Sequence, residues 1–246
     1  MVEKLANVWY ILNMEKHFFT GNKAPRLILA LLVFGLAAFP LGAQGFLDRV
    51  SWFGTGSILF FPEDNGPHSA PMPVLPSPGA GASFRANDIF RAEFTLDLYT
   101  THYGYPAALN RPVPVEIEHR TARVIGCILG FQLAGYFDVT PNVTVRAYGG
   151  PAADLRMILV ASGLTAGLDD MDEVRREVDL VRNYFWSKGR WFLPFIGVGA
   201  DYTLNSGFKV GLDFRVWVPV YRLWTGENLP TVEGWRFGPG IRLTVP

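Results

Sequence analysis

Residues 208–220, FKVGLDFRVWVPV, place Phe208, Val210, Leu212, Phe214, Val216 and Val218 on one parity. Lys209, Gly211, Asp213, Arg215 and Trp217 hold the other. A period of two means a strand with unlike faces. The pattern recurs in IFRAEFTLDLYT, where Phe90, Ala92, Phe94, Leu96 and Leu98 oppose Arg91, Glu93, Thr95, Asp97 and Tyr99. It returns in VTVRAYGGPAADLRM, whose polar face carries Arg146, Asp154 and Arg156, and in RWFLPFIGVGADYTL, which carries Asp201. EGWRFGPGIRLTV sets Trp235, Phe237, Ile241, Leu243 and Val245 against Arg236, Arg242 and Thr244. GAGASFRA is a weaker instance, and residues 120–136 read as a strand with its charges at the start. Residues 50–61 are extended with no readable parity. The count is eight strands.

Short and long connections alternate along the chain. ND at 87–88, DVTPN at 138–142 and NSG at 205–207 carry turn chemistry. The long connections fall near 62–78, 101–116, 159–190 and 219–233. An up-and-down barrel with one turn end and one loop end requires this order. Six prolines occupy positions 62–78, so that segment is expected to be an extended surface loop unable to pair as a strand. Pro194 and Pro239 fall inside strand patterns, where local breaks or bulges are expected.

Which solvent each face meets is decided by magnitude. A Lys or Arg facing lipid at midplane costs roughly 2–4 kcal/mol, so a lipid-facing row must be free of charge. The apolar rows here are. The opposite rows mix Gly, Ser, Thr, Tyr and Trp with both signs of charge, as a crowded interior does. Eight strands enclose a space that side chains can just fill. The expected lumen residues are Arg91, Glu93, Asp97, Arg146, Asp154, Arg156, Asp201, Lys209, Asp213, Arg215 and Trp217. Phe90, Phe192, Tyr202, Phe208 and Trp235 stand near strand ends on the apolar face, where interfacial aromatic girdles belong. The reading is therefore an all-β, eight-stranded antiparallel up-and-down transmembrane barrel over residues 44–246, with the lipid bilayer as its partner.

The third long connection holds a helix. Met171, Val174, Val178, Val181 and Phe185 recur at spacings of three and four. Asp169, Asp170, Asp172 and Glu173 crowd its start, Arg182 and Lys188 its end, and Gly189 follows, as the helix dipole and a glycine stop require. Two roles fit: a lid or host-facing surface at the mouth, or an element packed on the rim to hide its own apolar stripe. The second is preferred.

Before the barrel, LILALLVFGLAAF (27–39) follows Lys16, His17, Lys23 and Arg26 and precedes PLGAQG. That order describes a secretory signal over residues 1–43, with Met14 as an alternative start. Its removal leaves 18 Lys and Arg against 20 Asp and Glu. Near-neutral charge gives no electrostatic pull toward nucleic acid. The single cysteine, Cys127, lies in an apolar run and reads as a small filler. No phosphate-cradling loop and no G-x-S-x-G elbow occurs. No metal or other cofactor is implied. His102 and His119, with Glu116 or Glu118, form a weak candidate for an acid/base or metal cluster, and His68 stands apart.

The closing segment FRVWVPVYRLWTGENLPTVEGWRFGPGIRLTV, with the eight-strand layout, resembles small outer-membrane barrels of the OmpW/OmpX type, and among them a spirochaetal group. The chain departs from them in ending Val245-Pro246 where an aromatic residue is usual. OmpW-type resemblance implies a narrow channel or binder for small, often hydrophobic solutes. OmpX-type resemblance implies adhesion or defence at the cell surface, with host ligands at the extracellular loops. The first reading is thus a small porin-like transport barrel. The second is a surface protein with a plugged lumen. The third is an outer-leaflet lipid-modifying enzyme using His102 with Asp97.

Overall fold

A computed structural model describes residues 50–61, 74–106, 110–115, 121–161, 171–225 and 234–245. The expected signal segment, His68, Glu116, Glu118, His119, Asp169 and Asp170 lie outside the described residues. The strands are β1 (Val50–Phe60), β2 (Val74–Arg85), β3 (Phe90–Gly104), β4 (Val113–Pro114), β5 (Ala122–Thr140), β6 (Val143–Gly150), β7 (Ala152–Val160), β8 (Phe195–Thr203), β9 (Lys209–Trp217) and β10 (Arg236–Thr244). Helix α1 spans Met171–Trp186, and the single turn α2 spans Arg222–Thr225.

All pairings are antiparallel, in the order β4-β3-β2-β1-β10-β9-β8-β6-β5-β7, and the β3–β5 pairing closes the ring. β6 and β7 are one wall strand. Leu133↔Gly149 and Gly130↔Ala152 hold the same register against β5, with Pro151 between them. β4 adds only two residues, against Tyr103 and Gly104. The wall therefore has eight strands.

One end carries tight turns. The Asn87 side chain accepts the backbone N–H of Ile89 at 2.9 Å and of Phe90 at 2.6 Å, and Gly207 takes φ 86° between β8 and β9. β5 runs further than its turn chemistry suggested, to Thr140, with a register irregularity between Asp138 and Thr140. The other end carries the long connections.

Three proline sites behave differently. Val74–Pro78 pairs with β1 (Val74↔Phe60 to Pro78↔Gly56), contrary to the expectation that the proline-rich segment could not form a strand. The reason is positional. β2 pairs with β3 only from Gly79 onward, so Pro76 and Pro78 sit where one flank of β2 has no ladder to lose. Pro239 pairs with Phe214 of β9, but on its β1 side the pairing lapses between Ser57↔Gly240 and Phe60↔Phe237. Pro194 lies just before β8, where its carbonyl accepts the N–H of Val218.

The burial of the wall is inverted relative to a water-soluble protein. Leu133, Ile196, Val198, Leu212, Ile241 and Leu243 are exposed, Leu212 at 69%. So are Phe90, Tyr202 and Phe208 near the turn end. The opposite parity is buried, and in β1, whose parity the sequence left open, it is Phe53, Ser57 and Leu59. Cys127 takes the outward parity of β5 and is half-buried. An arginine in the exposed row of β9 meets hydrocarbon if lipid surrounds the wall. Leu212→Arg is then expected to destabilise the barrel by about 2–4 kcal/mol in urea titrations in phospholipid vesicles. A loss near zero would contradict a lipid-facing row.

Candidate functional site

Strand parity sends charged side chains from β3, β6, β7, β8, β9 and β10 inward. Burial forces them to pair, since an isolated buried charge costs far more than its contacts return. Nearest the turns, Arg242 holds Glu93 in a bidentate pair, Nη2 to Oε1 at 2.8 Å and Nη1 to Oε2 at 3.0 Å. Gln132 and Tyr136 donate to the same carboxylate, and the Arg91 guanidinium lies 4.2 Å from the Tyr136 ring centre.

In the middle, Arg215 grips Asp97 through both terminal nitrogens, with Nη2 3.0 Å from Oδ1. β3 and β9 are four strands apart around the ring, so this pair bridges opposite walls. Arg146 meets Asp201 at 3.0 Å and Asp213 at 2.9 Å, and the Tyr148 hydroxyl donates to Asp213 at 2.7 Å. Nearest the loops, Asp154 is shared by Arg156 (2.6 Å) and Arg236 (2.7 Å), and the Tyr99 hydroxyl donates to it at 2.9 Å. Glu93, Asp97, Arg146 and Asp154 are each 1% exposed.

Glycines make room for the tyrosines in these layers. Gly126 is the register partner of Tyr99, and a Cβ there would meet the tyrosine ring at 2.1 Å. Gly197 stands opposite Tyr148, where a Cβ would meet the ring at 2.3 Å. Each ring lies flat on a bare backbone, which sets the height of its hydroxyl against the carboxylate. Above, Trp217, Phe195, Leu193, Leu59 and Phe61 form an apolar layer.

Of the residues expected to line the lumen, Glu93, Asp97, Arg146, Asp154, Arg156, Asp201, Asp213, Arg215 and Trp217 are buried. Arg91 and Lys209, toward the turn end, are half-buried. Arg236 and Arg242 belong to the same network and share its parity, yet the expected set omitted them. Gln132, Tyr99, Tyr136 and Tyr148 were also missed, because a tyrosine on a polar face gives no sign of which carboxylate it will meet.

Helix α1 packs at the loop end. Val174, Val178, Val181 and Phe185 are buried, and the last three pack with Tyr103, Ala122, Val124 and Ile158. Those partners carry the inward parity of β3, β5 and β7, which project past the other strands at this end. The helix therefore lies across the inner faces of the projecting strands, over the mouth, so burial of its stripe and covering of the mouth coincide. Met171 opens the helix. Trp186 donates its indole N–H to the Arg156 carbonyl at 3.2 Å, and the Arg156 guanidinium stacks 3.9 Å from the Phe185 ring centre. After Trp186 the chain turns at Lys188 (φ 53°) and Gly189 (φ 73°).

His102 and Asp97 are not brought together. They differ in parity on β3, and Asp97 is buried in its pair with Arg215. Among the described residues, no group of three His, Cys, Asp or Glu side chains could hold a metal ion.

No protein-family model matches the chain, and no curated protein matches it. Among solved structures it is similar to Neisserial surface protein A, with 14% identity over 80% of this chain and 96% of that one, and a TM-score of 0.46. It is also similar to the outer membrane protein OprG of Pseudomonas aeruginosa (11% identity, 80% and 96% covered, TM-score 0.44). A third is Ail, the attachment invasion locus protein of Yersinia pestis (7% identity, 80% and 99% covered, TM-score 0.40). All three are small barrel proteins, and at these values the likeness assigns no activity to this chain.

Removing one partner of a buried ion pair strands the other charge, at a cost of about 3–5 kcal/mol. Asp97→Ala is expected to lose that much in urea titrations of the micelle-folded barrel. The exposed pair of Arg85 with Asp88 is the control, and Asp88→Ala should cost under about 1 kcal/mol. Equal losses in the two variants would contradict a structural role for the lumen pairs.

Proposed function

We propose that the chain is an outer-membrane β-barrel whose lumen is sealed by its own ion pairs, and which acts through its long-loop, extracellular end. The observation that carries this is the Arg215–Asp97 bridge between opposite walls, with both side chains at most 3% exposed. It stands between the Arg242–Glu93 pair on the turn side and the shared Asp154 on the loop side. A solute crossing the barrel would have to part several such pairs, each at a cost of about 3–5 kcal/mol. α1 then covers the mouth above them. The apolar outer rows support the membrane setting. Strands with no ladder edge are what a bilayer demands of a spanning sheet.

The sealed lumen favours surface interaction over transport. A narrow path for small hydrophobic solutes, which the OmpW-type resemblance implies, would need a continuous apolar route, and here layers of paired charges lie below the apolar one. The outer-leaflet enzyme reading draws no support from His102, which stands on the other face of β3 from Asp97.

Purified protein reconstituted in planar bilayers is expected to hold a tight seal at all applied voltages. The double variant Asp97→Ala, Arg215→Ala should hold the seal as well if it folds, because the Glu93 and Asp154 layers still stand on either side of the cleared bridge. Sustained conductance of the unaltered protein would overturn the proposal and restore the channel reading.

A further inference from the structure

On α2, Leu223 is 84% exposed and Trp224 55% exposed. Single apolar side chains on a surface need no explanation, but these two continue a row. The outward parity of β9 holds Val210, Leu212, Phe214 and Val216, and the same parity runs on through Val218 and Val220. Beside it on β8, Val198 pairs with Phe214 and Ile196 with Val216. The Pro194 carbonyl accepts the N–H of Val218, so the two chains stay together past the end of the ladder. Leu223 follows at the top of this uncharged face.

The turn aims Leu223 away from the barrel axis. Tyr221 is buried and lines the mouth beside Arg156 and Arg236, both of the inward parity. The N–H of Leu223 bonds to the Val220 carbonyl, and those of Trp224 and Thr225 to the Tyr221 carbonyl, which winds this stretch helically. At about 100° per residue, Leu223 stands roughly 200° around the turn from Tyr221, on the outer side. Trp224 is braced beside it. Its indole N–H donates to the Lys188 carbonyl at 2.9 Å, and its ring lies on Gly189, where a Cβ would come within 3.1 Å. With the N–H taken, the exposed part of the indole is hydrocarbon. The height also fits. A tilted strand crosses the apolar band in roughly 9–11 residues. Counted from Phe208, exposed at the turn end, the band ends between Val216 and Val218, and α2 begins just beyond it. That is the level at which tryptophan and its flanking residues anchor a spanning protein.

We propose that α2 is a membrane foot, with Leu223 and Trp224 resting in the boundary between headgroups and acyl chains of the leaflet at the loop end. The inference rests on the membrane setting proposed above. Its partner is lipid, because the patch is continuous with the rows which that setting places against hydrocarbon. Trp224 is bonded to the turn after α1, so the foot also holds that turn, and with it the end of α1, at a set height over the bilayer.

The test uses the full chain, Cys127→Ser, carrying one bimane-labelled cysteine and folded in phosphatidylcholine vesicles. The labelled positions are Leu223→Cys, Leu212→Cys on the wall, and Asn183→Cys, exposed on α1. Lipids brominated on the acyl chain quench a fluorophore that touches the chain, and the bromines are placed near the headgroup or near the chain end. Bromines near the headgroup are expected to quench the label at 223 several-fold more than that at 183. Bromines near the chain end should quench it less. Trp224→Ser, which removes the brace, should lower the quenching at 223. Unchanged quenching in that variant would assign the insertion to the apolar label and overturn the foot. Quenching at 212 with none at 223 above that at 183 would overturn the foot and leave the membrane setting intact, the patch then facing water and a soluble partner. No quenching at 212 or 223 would overturn both.

Discussion

An eight-stranded ring has too little room inside to hydrate a charge, so each ionisable side chain that points inward must find its counter-charge within the lumen. That constraint organises the molecule. It joins β3 to β9 through Asp97 and Arg215, β3 to β10 through Glu93 and Arg242, and β7 to β10 through Asp154 and Arg236. None of these strand pairs are neighbours in the sheet. The ladder alone fixes each strand against the next, whereas the ion pairs tie distant parts of the ring together. Buried pairs contribute little net stability over an apolar core of the same shape, but breaking one is expensive. Their role here is to hold one ring geometry.

The same constraint explains what the sequence made legible. Parity depends only on local alternation, and the unlike rows of β3, β9 and β10 are visible in a dozen residues each. In β1 small residues occupy both faces, Gly54 and Gly56 alternating with Thr55 and Ser57, so alternation carried no signal there. Pairing is a different matter. Arg215 and Asp97 are 118 residues apart and Arg242 and Glu93 are 149 apart, separations that no local pattern encodes. The prolines misled for a related reason. Pro76 and Pro78 are tolerated because β3 leaves the flank of β2 at Gly79, which is a property of the stagger of the sheet and not of the proline-rich segment itself.

The helix shows how the loop end is finished. Its apolar stripe was readable from spacing, but what it covers was not. Because β3, β5 and β7 project beyond their neighbours and turn inward-parity residues toward the mouth, a helix that hides its stripe there also lies at the mouth. Beneath it Asp154 is shared by Arg156 and Arg236.

The central claim is that the apolar rows meet hydrocarbon while the charged rows are enclosed. Spin labels at single cysteines along β9, in a Cys127→Ser background and in phospholipid bilayers, test it most directly. Labels replacing Val210 and Leu212 should be accessible to oxygen dissolved in the lipid, and a label replacing Lys209 should be shielded from it. The reverse alternation, or high accessibility of both rows to an aqueous relaxing agent, would contradict it.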